Sequence, residues 1–380
     1  MGVIKMKTYR IKDLATEISI RENVPKESKY DKFVGLEHYI SGEMHIKQYG
    51  ESSKMSSSAK IFKSGDVLIA RRNVYLRRAG IVDFDGLTSG DSIVLRAKNS
   101  TYKKILPFIL NTQKFWSYAT KHADGTMSKR LSPKLLMDFK IILPKNLEDI
   151  DKLSDLLLSI TITLDSYRDM VIKLDQLVES KFDAIINEGF EKKLNLEEIS
   201  INWSKGQRFK KEDIIEDGSH KCIHYGELFT TYGPRILNVI SRTNIDPIKV
   251  SKTGDILFPA SDVTPDGLAR CSVIEEDGVI LGGDIIIMTP KEEFNKIYLS
   301  YAINFEKQQL LSRVTGSVVK HLSSTSLKSI KIPIVSSENQ NIFSNFVVKA
   351  EILKNYYYDN IERLNDLLIK LIVVNLEKEE

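Results

Sequence analysis

Apolar residues fall on a seven-residue period in two long stretches of this chain. From Leu147 onward, Ile150, Leu157, Leu164, Val171 and Val178 recur at every seventh position, with Leu153, Ile160, Tyr167 and Leu174 three residues after the first four. That spacing lays one apolar stripe along a helix and predicts a coiled-coil seam over about four heptads. Neither Pro nor Gly interrupts it before Gly189. A second stripe runs through Phe343, Ala350, Tyr357, Leu364 and Leu371. Its other seam position is taken by Phe346, Leu353, Leu367 and Val374, with Asn360 as the single polar member. A buried Asn in a seam lowers stability but fixes register and pairing. Each helix, at roughly 35 to 40 residues, would be about 55 Å long.

Between these stretches the apolar runs are short and β-like. Strands are expected at 67–70, 93–95, 256–258 and 285–288, and amphipathic helices at 103–120 and 294–311. Strands mixed with few helices predict an α+β class rather than a doubly wound sheet. The runs also repeat. Gly65-Asp66-Val67-Leu68 returns as Gly254-Asp255-Ile256-Leu257, 189 positions later. Gly90-Asp91-Ser92-Ile93 returns as Gly283-Asp284-Ile285-Ile286, 193 positions later. Gly125-Thr126-Met127-Ser128-Lys129-Arg130-Leu131-Ser132 is matched by Gly316-Ser317-Val318-Val319-Lys320-His321-Leu322-Ser323, 191 positions on, and Phe139-Lys140-Ile141 by Ile330-Lys331-Ile332. Each match is short, but four in one order at a nearly constant separation define an internal duplication. The expected layout is therefore a globular domain at 1–145, a spacer helix at 146–190, a second domain at 191–335 and a second spacer helix at 336–380.

Composition narrows the class. The 380 residues are 42% hydrophobic and 28% charged, ordinary for a globular protein and long enough for two cores. A net charge of +4 permits nucleic acid as a partner without demanding it. Cys222 and Cys271 form no CxxC pair, and the six His show no ligand spacing, so no metal site is expected and a reducing compartment is. The first residues lack the apolar run of a signal peptide, and no membrane-spanning run occurs, which predicts a cytoplasmic protein. No phosphate-binding GxxxxGK[ST], GxGxxG, GxSxG or HExxH is present, so no catalytic residue is nominated. Asp262 and Asp266 near Lys252 read as carboxylates capping turns at Pro265 and Gly267.

Binding chemistry is better represented. Arg71-Arg72-Asn73-Val74-Tyr75-Leu76-Arg77-Arg78 combines guanidinium groups suited to guanine edges, an amide suited to adenine and an aromatic side chain. Four arginines in eight residues repel one another unless an anion answers them. Lys129-Arg130 and Lys320-His321 follow a Gly turn at equivalent repeat positions and suit phosphate contact. In the second domain the corresponding loop, Pro259-Ala260-Ser261-Asp262-Val263-Thr264-Pro265, offers Ser261 and Thr264 for cytosine or adenine edges, although an ordinary turn explains it equally well. Arg235 and Arg270 are the second domain's basic candidates. The cluster Lys205, Arg208, Lys210, Lys211 reads as surface charge, and Trp116 and Trp203 as core.

The tandem plan resembles the specificity subunits of Type I restriction-modification systems. The resemblance rests on Phe84-Asp85-Gly86-Leu87-Thr88-Ser89-Gly90-Asp91, on the Leu-Ser pairs at 131–132 and 322–323, on Ile141-Ile142-Leu143-Pro144, and on the helix ending Leu177-Val178-Glu179-Ser180-Lys181-Phe182. The second copy departs at Ile332-Pro333-Ile334-Val335, where the Pro is displaced. The resemblance implies two target-recognition domains reading the halves of a split, asymmetric site in double-stranded DNA. It implies two long helices pairing as an antiparallel coiled coil, which dock two modification subunits carrying adenine methylation and accompany restriction subunits. No cofactor is expected on this chain. S-adenosylmethionine for methylation and ATP with Mg for restriction are expected on the partner subunits. Independently of the family, two similar but non-identical readers on a rigid spacer must read two different short words at a fixed separation. The rival readings are a self-contained DNA methyltransferase or nuclease with an unrecognised site, and a coiled-coil adaptor with no DNA role.

Overall fold

The computed structural model describes residues 5–125 and 128–377. Thr126 and Met127 of the first glycine loop, together with the first four residues and the last three, lie outside them. The chain divides into two units, one of residues 1–169 with 357–380 and one of residues 170–356. Both are mixed α and β, as the short apolar runs predict.

In the first unit a four-stranded antiparallel sheet has the order Ala15–Ile18, Ser92–Ala97, Val67–Ala70, Ala79–Ile81. A five-stranded sheet, Arg21–Glu22, Ala59–Phe62, Gly86–Thr88, Lys32–Val34, Gly50–Glu51, and a two-stranded ladder, Met6–Arg10 with Lys140–Pro144, complete it. The second unit rebuilds the four-stranded order as Ser200–Lys205, Ile285–Pro290, Ile256–Pro259, Ser272–Ile274, extended by Arg235–Ile236. The central register is the same in both: Ser92 opposes Ala70 in one, Ile285 opposes Pro259 in the other. The two-stranded ladder also returns, as Phe190–Asn195 with Lys331–Val335.

Two expected helices are each broken into two. The stretch 103–120 is Ser100–Ile109 and Gln113–His122: the first ends at Leu110, and Thr112 caps the second, its hydroxyl accepting from Phe115 N. The stretch 294–311 is Lys296–Phe305 and Lys307–Leu311, parted at Glu306. Trp116 is core, packed edge-on against Phe115.

The long helices run Leu147–Gly189 and Ser337–Leu376 without a break. In the first unit, residues 147–169 of one lie against residues 357–376 of the other. Ile150, Leu157 and Leu376 are buried together with Leu153, Leu368 and Leu371 at their side, while Tyr167 meets Tyr357 at 5.4 Å between ring centres. In the second unit, Val178 and Phe182 pack with Phe343 and Val347, and Lys354 pairs with Asp175 at 2.6 Å. Early residues of one helix meet late residues of the other, so the pairing within each unit is antiparallel.

The seam expected on the first helix is the buried one: Ile150, Leu157, Leu164 and Val171 are inward, with Leu153 and Leu174 partly so. On the second helix one seam position shifts by a residue. Phe343, Ala350, Tyr357, Leu364 and Leu371 face inward, but their companions are Val347, Ile361 and Leu368 rather than Leu353, Leu367 and Val374, which are exposed. Phe346 remains partly covered and Asn360 half-buried. The shifted row includes Lys354 and Asn375, polar residues that disguise it in the sequence. The structure accommodates them by pairing Lys354 with Asp175 and by turning the Asn375 amide onto the Leu371 carbonyl. Among the described residues no helix is long and apolar enough to cross a membrane, and no group of three His, Cys, Asp or Glu is placed to hold a metal.

Candidate nucleic-acid interface

The Gly-Asp repeats are turns built for one purpose. Gly65 and Gly254 take φ of +89° and +92°, a left-handed backbone that favours glycine. The Asp after each folds its carboxylate back onto a main-chain N–H three residues earlier, Asp66 on Lys63 and Asp255 on Lys252. Both carboxylates are buried and satisfied further, Asp66 by the Arg96 fork and Asp255 by the Thr289 hydroxyl. Each turn launches the central strand, Val67–Ala70 or Ile256–Pro259, whose far end opens into the loop of interest.

There two loops are laced together by backbone bonds that recur in both units. In the first, Arg71 N donates to Asp91 O and Leu131 N to Arg71 O, at 2.9 and 2.8 Å. In the second, Ala260 N donates to Asp284 O and Leu322 N to Ala260 O, at 2.8 and 2.9 Å. The glycine loop closes on itself through a reciprocal pair, Asp124 with Arg130 in one unit and Thr315 with His321 in the other. Gly125 and Gly316 make that turn at φ of +103° and +99°. The Leu-Ser pair then ends it: Leu131 and Leu322 are buried, and Ser132 and Ser323 cap the next helix. The repeat seen in the sequence is thus a repeat of hydrogen bonding around one loop pair.

The first unit arms this frame with arginines. Arg72 Nε donates to Ser128 Oγ at 2.9 Å, and Ser128 Oγ donates to Asn73 Oδ1 at 3.1 Å. Asp91 stands between two guanidinium groups, 3.6 Å from Arg72 Nη1 and 3.8 Å from Arg130 Nη2. All three side chains remain partly open to solvent, so the carboxylate aims two guanidinium forks without burying them. Asn73 and Arg77 adopt left-handed φ of 55° and 51°, a costly conformation for residues with a side chain. Tyr75 and Arg77 are exposed on that double turn, and Lys129 is exposed on the facing glycine loop. Arg78 is different: its Nη1 and Nη2 donate to Leu36 O and Arg72 O, so it braces the loop. Arg71 likewise serves through its backbone, and its Nε is buried. Behind the loops Lys60 is buried with Nζ on Ser92 O at 2.8 Å, and burial lowers its pKa. Sequence reasoning passes over Asp91 and Ser128 as aiming groups, and nothing local marks them, since they meet Arg72 only through the fold.

The second unit arms the same frame otherwise, and several sequence candidates there are structural. Ser261 is buried in a short ladder opposite His321. Thr264 donates to Asp262 Oδ2 at 2.7 Å and caps the turn Pro265–Leu268, while Asp262 Oδ1 accepts Val263 N. The ordinary-turn reading of that loop therefore prevails. Arg235 is no free cation: its side chain is 10% exposed, forked onto Glu275 at 2.7 Å and paired with Glu351 at 2.7 Å. Those carboxylates hold its pKa above the usual arginine range. Arg270 is partly buried with Nη1 on Phe229 O at 3.3 Å. Lys320 spends its ammonium on Gly316 O and Ser317 O, and His321 is exposed.

Residues 187–371 match the model of the Type I restriction modification DNA specificity domain. That stretch of the chain is similar to a Type I DNA specificity domain. The resemblance drawn from the sequence to specificity subunits stands. A Type I restriction-modification S subunit from M. genitalium has a crystal structure similar to this one over all of this chain and 98% of its own, with TM-score 0.67 at 14% identity. A structure described in connection with complex assembly and conformational transition of the type I R-M system is similar over 97% of this chain and 96% of its own, with TM-score 0.51 at 16% identity. At those identities the likeness is one of fold. The specificity-domain fold supports a role in recognising DNA sequence.

Proposed function

We propose that this chain is the non-catalytic DNA-specificity subunit of a Type I restriction-modification complex, reading a bipartite, asymmetric duplex site with one half-site per unit. One observation carries the reading. The two units hold the same loop pair by the same backbone hydrogen bonds and dress it with different side chains. A shared frame with unlike reading surfaces is what a split site of two different words requires. In the first unit Arg72 and Arg130 are the base-reading groups, suited to guanine, and Arg77, Lys129 and Tyr75 lie toward the phosphates.

The long helices are the proposed ruler and dock. At 43 residues the first is about 65 Å long. Within the first unit, Leu156, Ile162, Ile369 and Val373 are exposed on the helices, and within the second, Ile172, Leu177, Ile352 and Leu353. Apolar surface of this kind suits partner subunits better than water. Two modification subunits, supplying S-adenosylmethionine-dependent adenine methylation, are the proposed occupants, with restriction subunits and their ATP and Mg joining the same assembly.

Methylome sequencing of a host expressing this chain with its modification partner tests the whole reading. The expected result is one bipartite, asymmetric motif with a methylated adenine on each strand. A purified chain that methylates or cuts DNA without partners would overturn it.

A further inference from the structure

Where the first unit presents arginines, the second presents valines. Ser261 and His321 occupy the repeat positions of Arg72 and Arg130, and Val319 that of Ser128. Val263, Val318 and Val319 are 72%, 80% and 45% exposed. They belong to one patch. The ladder pairs Ser261 with His321 and Asp262 with Lys320, and Val263 and Val319 are the next residues of the two loops beyond its end. Asp284, at the repeat position of Asp91, is exposed and makes no ion pair among the described residues. The guanidinium clamp is therefore absent from the second loop pair, although the backbone that would display it is intact.

Single exposed valines need no explanation, but three on two laced loops, on the surface equivalent to the arginine clamp, do. The floor of the major groove has one apolar feature, the 5-methyl group of thymine. Valine suits it: its branched side chain is stiff, so packing costs it little freedom. We propose that Val263, Val318 and Val319 determine part of the second half-site by packing on a thymine 5-methyl group. This rests on the reading of the loop pairs as DNA-facing. It adds that the two half-sites are told apart by different forces, charged hydrogen bonding in one and apolar packing in the other.

The test uses the full chain assembled with its modification subunits, on duplexes carrying the methylated motif. Each thymine of the second half-site is replaced in turn by deoxyuridine, which pairs identically and lacks only the methyl group. At the position that the valines touch, binding weakens about four-fold, the effect of one buried methyl. The same replacements in the half-site that Arg72→Ala relaxes change nothing. The double variant Val263→Ala with Val318→Ala binds thymine and uracil duplexes equally. Unchanged binding at every uracil position, with sequence-specific binding otherwise intact, overturns the inference and leaves the subunit assignment standing. Valine variants that keep the uracil effect overturn it too, and a lowered affinity for the modification subunits in those variants identifies the patch as a protein-binding surface. Absence of any sequence-specific binding by the wild-type assembly overturns the subunit assignment itself.

Discussion

Replacing Arg72 with Ala separates base reading from phosphate binding more cleanly than any other change in the first unit. Its guanidinium is held by Ser128 Oγ at 2.9 Å and lies 3.6 Å from Asp91, and the side chain is 44% exposed. An ion pair this open is worth about 0.2–1 kcal/mol, so the unit should keep its fold, with a melting point lowered by no more than about 4 °C. A bidentate guanine interaction is worth about 1–3 kcal/mol of discrimination, roughly 5- to 150-fold between the cognate site and a site with that pair replaced. Fluorescence anisotropy at several salt concentrations, on both duplexes, reads the two quantities together. For Arg72→Ala the cognate affinity falls toward that of the substituted site, which itself hardly moves. For Arg77→Ala, whose side chain stands outward at the loop tip, both affinities fall alike and the salt slope shrinks by about 0.9 for each phosphate no longer neutralised. Asp91→Asn should strengthen binding to every sequence while blunting discrimination, because it removes an anion that also aims two forks. An Arg72→Ala protein that weakens equally on all sequences would refute the base-reading assignment.

Three further outcomes follow from the geometry. Arg235→Met leaves Glu275 and Glu351 without their cation in a nearly closed site and should cost about 3–5 kcal/mol by urea unfolding, with the loss appearing as instability rather than altered sequence preference. Burial lowers the pKa of His224, and its Nδ1 accepts Gly226 N at 3.3 Å. The unfolded chain takes up a proton near pH 6.5 that the folded chain resists, so stability declines as pH drops below that value; the urea midpoint should fall between pH 7 and 5 more steeply for the wild type than for His224→Gln. Inserting seven residues between Asp169 and Met170, matched by seven between Tyr356 and Tyr357, preserves the seam and lengthens the helices by about 10 Å. The spacer of the methylated motif should grow by about three base pairs at some 34 Å per turn of duplex, and an unchanged spacer would refute the ruler role.

What is legible in the sequence is whatever is settled locally. The first long helix declares itself because a heptad needs only neighbours along one chain, and Gly65 and Gly254 mark turns that side chains disfavour. The second seam is misread from the sequence because Leu353 and Lys354 compete for one position, and only Asp175, on another helix, decides for the lysine. The break at Thr112 escapes notice because a helix cap is a side-chain bond, invisible to apolar periodicity. Arg235 misleads for a related reason: one of its carboxylates, Glu351, lies 116 positions away.

The reading loops are half legible, and the division has a physical cause. The bonds that lace the loops in both units run between main-chain atoms: Arg71 or Ala260 to the Asp carbonyl, Leu131 or Leu322 back to the strand end, and the reciprocal pair that closes the glycine loop. Such bonds ask only for glycine at the turn, an apolar anchor and a capping serine, and these are the positions that repeat in the sequence. They ask nothing of residues 72, 73, 128 and 130 or of 261, 263, 319 and 321. Those side chains are consequently free to change chemistry while the loops stay in place, since every framework bond survives when one of them is replaced. Exchange of the Arg72, Tyr75 and Arg130 side chains for those of another reader should therefore alter sequence preference at little cost in stability, whereas changing the buried Val74, or Gly125, Leu131 or Asp66, should disturb the loop pair whatever DNA is offered.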